Sequence, residues 1–99
     1  MEKVFESSIL YGENPFFIET LTIQDKVIMF RKQKGPLGLF SETTTISRSR
    51  IHRVTIETDI LGSHFNIYFF GDTSFGNQII SGKHFKKSDV REIQRILIG

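Results

Sequence analysis

Three histidines, His52, His64 and His84, and a scatter of carboxylates are the side chains of this sequence suited to moving a proton or ligating an ion. Catalysis needs such a base, or a nucleophile, beside a group that orients it, and none of the three sits in a recognisable frame. His52 lies two residues from Val54 on an expected strand and should share its face, His64 starts the next strand, and His84 precedes a helix. The sequence has no cysteine, which removes thiolate nucleophiles, disulfides and Cys-based zinc sites and fits a reducing compartment. HExxH and EF-hand spacings are absent, and His52, His64, His84 and Asp72 are far apart in the chain. Gly35-Pro36-Leu37-Gly38 lacks the lysine and the following helix of a nucleotide cradle and reads as a turn. The expectation is a non-enzymatic chain with no catalytic, metal or cofactor residues and no small-molecule substrate.

The cations are more suggestive. Net charge is +2, but residues 1–25 carry −4, with Lys3 against Glu2, Glu6, Glu13, Glu19 and Asp25. Residues 31–53 carry +5, with Arg31, Lys32, Lys34, Arg48, Arg50 and Arg53 against Glu42. Folding either gathers these groups into an electropositive surface or leaves them as a solvated one. Lys32 and Lys34 flank Leu37, Leu39 and Phe40 on a tight hairpin, an apolar tip between cations that suits an anionic lipid interface. The plainer alternative makes Leu39 and Phe40 core residues of the next strand and leaves only Leu37 exposed. Arg48, Arg50 and Arg53 beside Tyr68 and Phe70 offer charge and rings to single-stranded nucleic acid, without the RNP pattern. Lys83, Lys86 and Lys87 cluster between Ser81 and Asp89 and mark either a docking groove or a solubilising rim.

The elements that position these groups are mostly strands. Ninety-nine residues suffice for one domain spanning 1–99, with a core drawn largely from ten phenylalanines and the isoleucines. A first strand is expected near Val4 to Leu10, before the turn Tyr11-Gly12-Glu13-Asn14-Pro15. Phe16 to Ile23 and Val27 to Phe30 form a hairpin about Gln24-Asp25-Lys26, and a second hairpin turns at Lys34-Gly35-Pro36-Leu37-Gly38. Strands then run from Leu39 or Phe40 to Ile46 and from Arg53 to Thr58, separated by the polar joint Ser47-Arg48-Ser49-Arg50 and by Ile51 as an apolar plug. After a turn at Asp59 to Ser63, Phe65, Ile67 and Phe69 share one face of a strand and Asn66, Tyr68 and Phe70 the other, a pattern that suggests two-sided burial. Gln78 to Ser81 is a short last strand stopped by Gly82. Val90, Ile93, Ile96 and Leu97 then fall at helical spacing, with Ser88 placed to cap the first turn and Asp89 at the positive end of the dipole.

Six or seven short strands followed by one amphipathic helix is the element order of a pleckstrin-homology-like (PH-like) barrel, a bent, partly open antiparallel sheet capped by the helix. Thr43-Thr44-Thr45-Ile46, Ser49, Ile51 and Val54-Thr55-Ile56-Glu57-Thr58 resemble the strand, polar turn and strand of bacterial PH-like domains. Ile60-Leu61-Gly62 and Phe85-Lys86-Lys87-Ser88-Asp89 are similar too, so the resemblance spans about residues 16 to 98. It implies a docking surface for lipids, peptides or partner proteins. The first-hairpin turn, which in phosphoinositide-binding PH domains is basic, here holds Glu13 and no base, arguing against inositol-phosphate binding.

The start lacks the basic flank and apolar run of a secretion signal, and no stretch is apolar for long enough to cross a bilayer. A cytoplasmic interaction module is therefore expected, binding a protein or peptide or self-associating. A peripheral domain for anionic membranes is the alternative, and single-stranded nucleic acid ranks behind both. The candidate partner or lipid surface comprises Arg31, Lys32, Lys34, Leu37, Arg48, Arg50, Lys83, Lys86 and Lys87.

Overall fold

Among the described residues the β-branched and aromatic runs form strands, and the last segment, where the apolar period lengthens, forms an α-helix. The structure, a computed structural model, describes residues 2–7, 18–34, 40–60, 62–71 and 77–98. Among these, β1 (Lys3–Glu6), β2 (Glu19–Ile23), β3 (Val27–Lys34) and β4 (Phe40–Ser47) make one antiparallel sheet in chain order. A 3-10 turn, Arg48–Arg50, then leads into a second antiparallel sheet of β5 (Ile51–Asp59), β6 (Gly62–Phe70) and β7 (Asn77–Phe85). Helix α1 (Lys87–Leu97) follows and packs against β5 and β6. The expected turns at 11–15 and 35–38 lie outside the described residues.

The inner faces enclose one core. Leu21, Ile28 and Phe30 come from the first sheet, Phe65, Ile67 and Phe85 from the second, and Val90 and Ile93 from the helix. Across the sheets Phe30 meets Phe65 edge-on at 5.9 Å between ring centroids, and Phe85 meets the same ring at 5.0 Å. Three polar links hold the helix over this core. Lys3 of β1 donates to Glu92, Gln94 Nε2 donates to Val54 O at 2.9 Å, and Arg48 donates to Ile96 O at 3.1 Å. The hydrogen bond and charge of Lys3 hold the Glu92 carboxyl below its ordinary 4.5.

Several expectations need correction. The last strand does not stop at Gly82 but runs through it to Phe85. A Cβ at Gly82 would lie 2.2 Å from the Phe65 ring, so this glycine makes room for a side chain instead of ending an element. Gly62 and Ser63 belong to β6, where Gly62 already pairs with Asp59 and takes φ 116°. The helix starts one residue before Ser88, its N-cap is Lys86, and the Lys86 side chain makes no capping bond. Asp89 does lie in the first turn and favours the dipole, which Lys86 and Lys87 oppose. His52 does not share the face of Val54. The pairing shifts register between Ile51 and Arg53, so His52 stacks 4.5 Å from Phe70 outside while Val54 is buried inside. Burial of β6 is one-sided, because Phe70 is 55% exposed.

Gly82→Ala should lower stability by about 1–3 kcal/mol in urea titration, because the Phe65 ring has nowhere to retreat. Ser88→Ala should change it by less than about 0.5 kcal/mol, since no cap bond is lost. Glu92 titrates at a lower pH folded than unfolded, so its contribution is present above the ordinary carboxylate range and disappears as pH falls through the lowered value. Lys3→Met should accordingly flatten the dependence of Tm on pH below about pH 5.

Candidate functional site

The outer face of the second sheet gathers the chemically distinctive side chains. Because β5, β6 and β7 are antiparallel neighbours, partners in register stand in rows across them. Arg53, Tyr68 and Ile79 form one row, with the Arg53 guanidinium 4.2 Å from the centroid of the Tyr68 ring. Beyond it lies the stacked pair of His52 and Phe70. Ile79 is 50% exposed, so with Phe70 and Tyr68 this end presents an apolar, aromatic relief under two nitrogenous side chains.

The next row is polar and neutral. Ser81 Oγ donates to Asn66 Oδ1 at 2.6 Å, and Asn66 Nδ2 donates to Thr55 Oγ1 at 3.3 Å. The following row begins with Glu57 and His64 and opens into a cleft of about 370 Å³, walled further by Asp59, Ser81, Lys83 and His84. Here the backbone is unusual, since His84 takes φ 65° and its N–H donates to His64 Nδ1 at 3.1 Å. An amide can only donate, so Nδ1 is the unprotonated nitrogen of the ring. The proton therefore sits on Nε2 and is donated to Asp59 Oδ2, 3.0 Å away. A doubly protonated His64 has no acceptor left for the His84 amide.

The cations of residues 31–53 are not gathered into one patch. Arg48 donates to Gln24 O, Asp25 O and Ile96 O, bonding the β2–β3 turn to the end of the helix, and is a structural joint. Lys32 stands between Glu19 and Glu42 in its row, 3.8 Å from Glu19 Oε2. Arg31 points to the outer face of the first sheet, opposite in parity to buried Phe30, whereas Arg53 is on the outer face of the second. Arg50 lines a separate cleft of about 550 Å³ with Thr44, Phe69 and Gln78. Lys34 ends β3, and Leu37 lies outside the described residues.

Lys83, Lys86 and Lys87 are exposed at the junction of β7 and α1, and Lys83 also donates its backbone N–H to Glu19 Oε1 at 2.7 Å. Phe40, taken in the plainer reading as core, is 65% exposed at the start of β4 opposite Lys34. The sequence reading placed Arg53 beside Tyr68 and Phe70 but missed Ile79, His52 and the His64–Asp59 pair as members of the same face. Only strand register could have found them.

Among the described residues no group of three or more His, Asp or Glu side chains is arranged to hold a metal ion, and no helix is long and apolar enough to cross a membrane. Compared with family models, curated proteins and solved structures, the chain matches none.

The ring assignment predicts that nitrogen NMR at mildly alkaline pH finds His64 protonated on Nε2 and bare on Nδ1. The opposite tautomer would mean that the His84 amide is not held as described.

Proposed function

We propose that this chain is a PH-like, non-catalytic interaction module that docks a protein partner on the outer face of its second sheet. Seven strands among the described residues, divided four and three, with a helix packed across their core, support the PH-like reading. One observation carries the docking surface: Tyr68, Phe70 and Ile79 stand together on a sheet face that no described element covers, with Arg53 and His52 stacked on the rings. Aromatic and arginine side chains are the residues that most often supply binding energy when desolvated by a partner, and the rings combine area with few rotors. The polar ladder beside them has its hydrogen bonds made internally, so covering it leaves few groups stranded.

The alternative, a peripheral domain on anionic lipid, has one observation of its own, the exposed Phe40 opposite Lys34 at the rim of the first sheet. It is weakened because Arg48 and Lys32 already serve internal partners.

The two readings place the energy differently. Immobilised wild-type chain should retain protein, free copies of the chain added to the lysate included, at raised ionic strength, Arg31→Glu should retain the same set, and Phe70→Ser combined with Ile79→Ser should lose it. Retention unchanged by the double substitution would overturn the docking reading. So would flotation with phosphatidylserine vesicles that Phe40→Ser and Lys34→Ser abolish while Phe70→Ser leaves it intact.

A further inference from the structure

Resting on that reading of the second sheet, we infer that the partner is a second copy of this chain, paired face to face about a two-fold axis running along the Thr55–Asn66–Ser81 row. The two ends of the face complement each other. On one side of the ladder stand Arg53, Tyr68 and Ile79, with Phe70 and His52 beyond; on the other are Glu57 and His64, with Asp59 beyond and a cleft between β5 and β7. One end is a cationic aromatic knob, and the other is a hollow with Glu57 and Asp59 on its β5 wall and Lys83 across from them on β7, so the acidic wall is the one that lies level with Arg53 on the same strand.

A two-fold axis in the plane of contact, along the neutral row, lays each row of one copy over the opposite row of the other. Arg53 then faces Glu57 of the second copy, and Tyr68 with Phe70 comes over the cleft. The cleft, about 370 Å³, is large enough to admit an aromatic side chain. Both contacts occur twice by symmetry, so the arrangement closes at two copies and leaves no knob unfilled. The row on the axis carries no formal charge and meets its own image without repulsion. Turning the axis parallel to the strands would instead set Arg53 and Tyr68 at the level of their own images, placing cations on the same end and leaving both hollows empty.

Charge exchange tests the pairing directly. Sedimentation of the wild-type chain should give twice its mass of 11.4 kDa. Arg53→Glu alone places two carboxylate pairs in opposition, and Glu57→Arg alone places two guanidinium pairs in opposition, so each variant should sediment as a monomer. Mixed in equal amounts they should recover the dimer, because each contact then joins opposite charges.

As a second measurement, Thr55→Cys should be joined to itself by a short bismaleimide, and Arg31→Cys should not; the sequence has no competing thiol. A monomeric wild type, a mass other than two chains, single variants that remain dimers, a mixture that remains monomeric, or cross-linking at position 31 but not 55 would each overturn the pairing. A monomer that still loses retained proteins on Phe70→Ser with Ile79→Ser would end self-pairing while leaving the docking face in place.

Discussion

The fit of the Phe65 ring against Gly82 is the constraint on which the second sheet depends. Phe65 is fully buried, touches Phe30 of the opposite sheet and Phe85 of its neighbouring strand, and occupies the space where any side chain at position 82 would begin. Next to this contact the pairing of β7 with β6 changes, and the register shifts between Ser63 and Phe65. The extra residue is accommodated at His84, whose left-handed backbone costs on the order of 1 kcal/mol or more and is held by a bond to His64. His64 adjoins Phe65 in the chain and points the other way. The core contact and the hollow outside it thus meet at one irregularity of the sheet.

The same shift sets the entry to the helix. Phe85 must reach the core on the far side of the irregularity, after which Lys86 caps α1 and Val90 and Ile93 fall into place beneath it. The helix contributes little propensity of its own at eleven residues, so its register comes from packing and from its three polar links. Those links reach β1, β5 and the 3-10 joint, which means both sheets are referenced to one helix. Arg48 has a particular part in this, since its guanidinium accounts for a carbonyl in the last helical turn that would otherwise lack an intrahelical partner.

Much of this was legible in the chain. Alternating β-branched residues announced β2, β4 and β5, the 3.6-residue period announced α1, and Ser47 to Arg50 announced a joint. At Gly82, Ser88 and His52 what escaped has a common physical cause: a long-range contact overrides a local signal. Gly82 reads as a stop until a ring from another strand is placed over it. Ser88 reads as a cap until the approach of Phe85 to the core starts the helix one residue earlier. His52 reads as a neighbour of Val54 until the shift beside Ile51 reverses its parity. The aromatic and arginine members of the outer face were visible as residue types, but their rows exist only once strand register is known.

Charge shows the same limit in a different form. A count of +5 over residues 31–53 suggests an electropositive surface, yet the fold spends Arg48 on backbone carbonyls, sets Lys32 between two acids, and turns Arg31 and Arg53 to different sheets. On the outer face of the second sheet this run of the sequence leaves Arg53, whose guanidinium keeps its charge but lies on a tyrosine ring and so joins an apolar contact. Exposed charges separated by more than a Debye length are screened at physiological salt, whereas apolar area removed from water is not. A partner of this face would therefore be selected by shape and ring contact, with Arg53 and Glu57 setting orientation and contributing less to affinity.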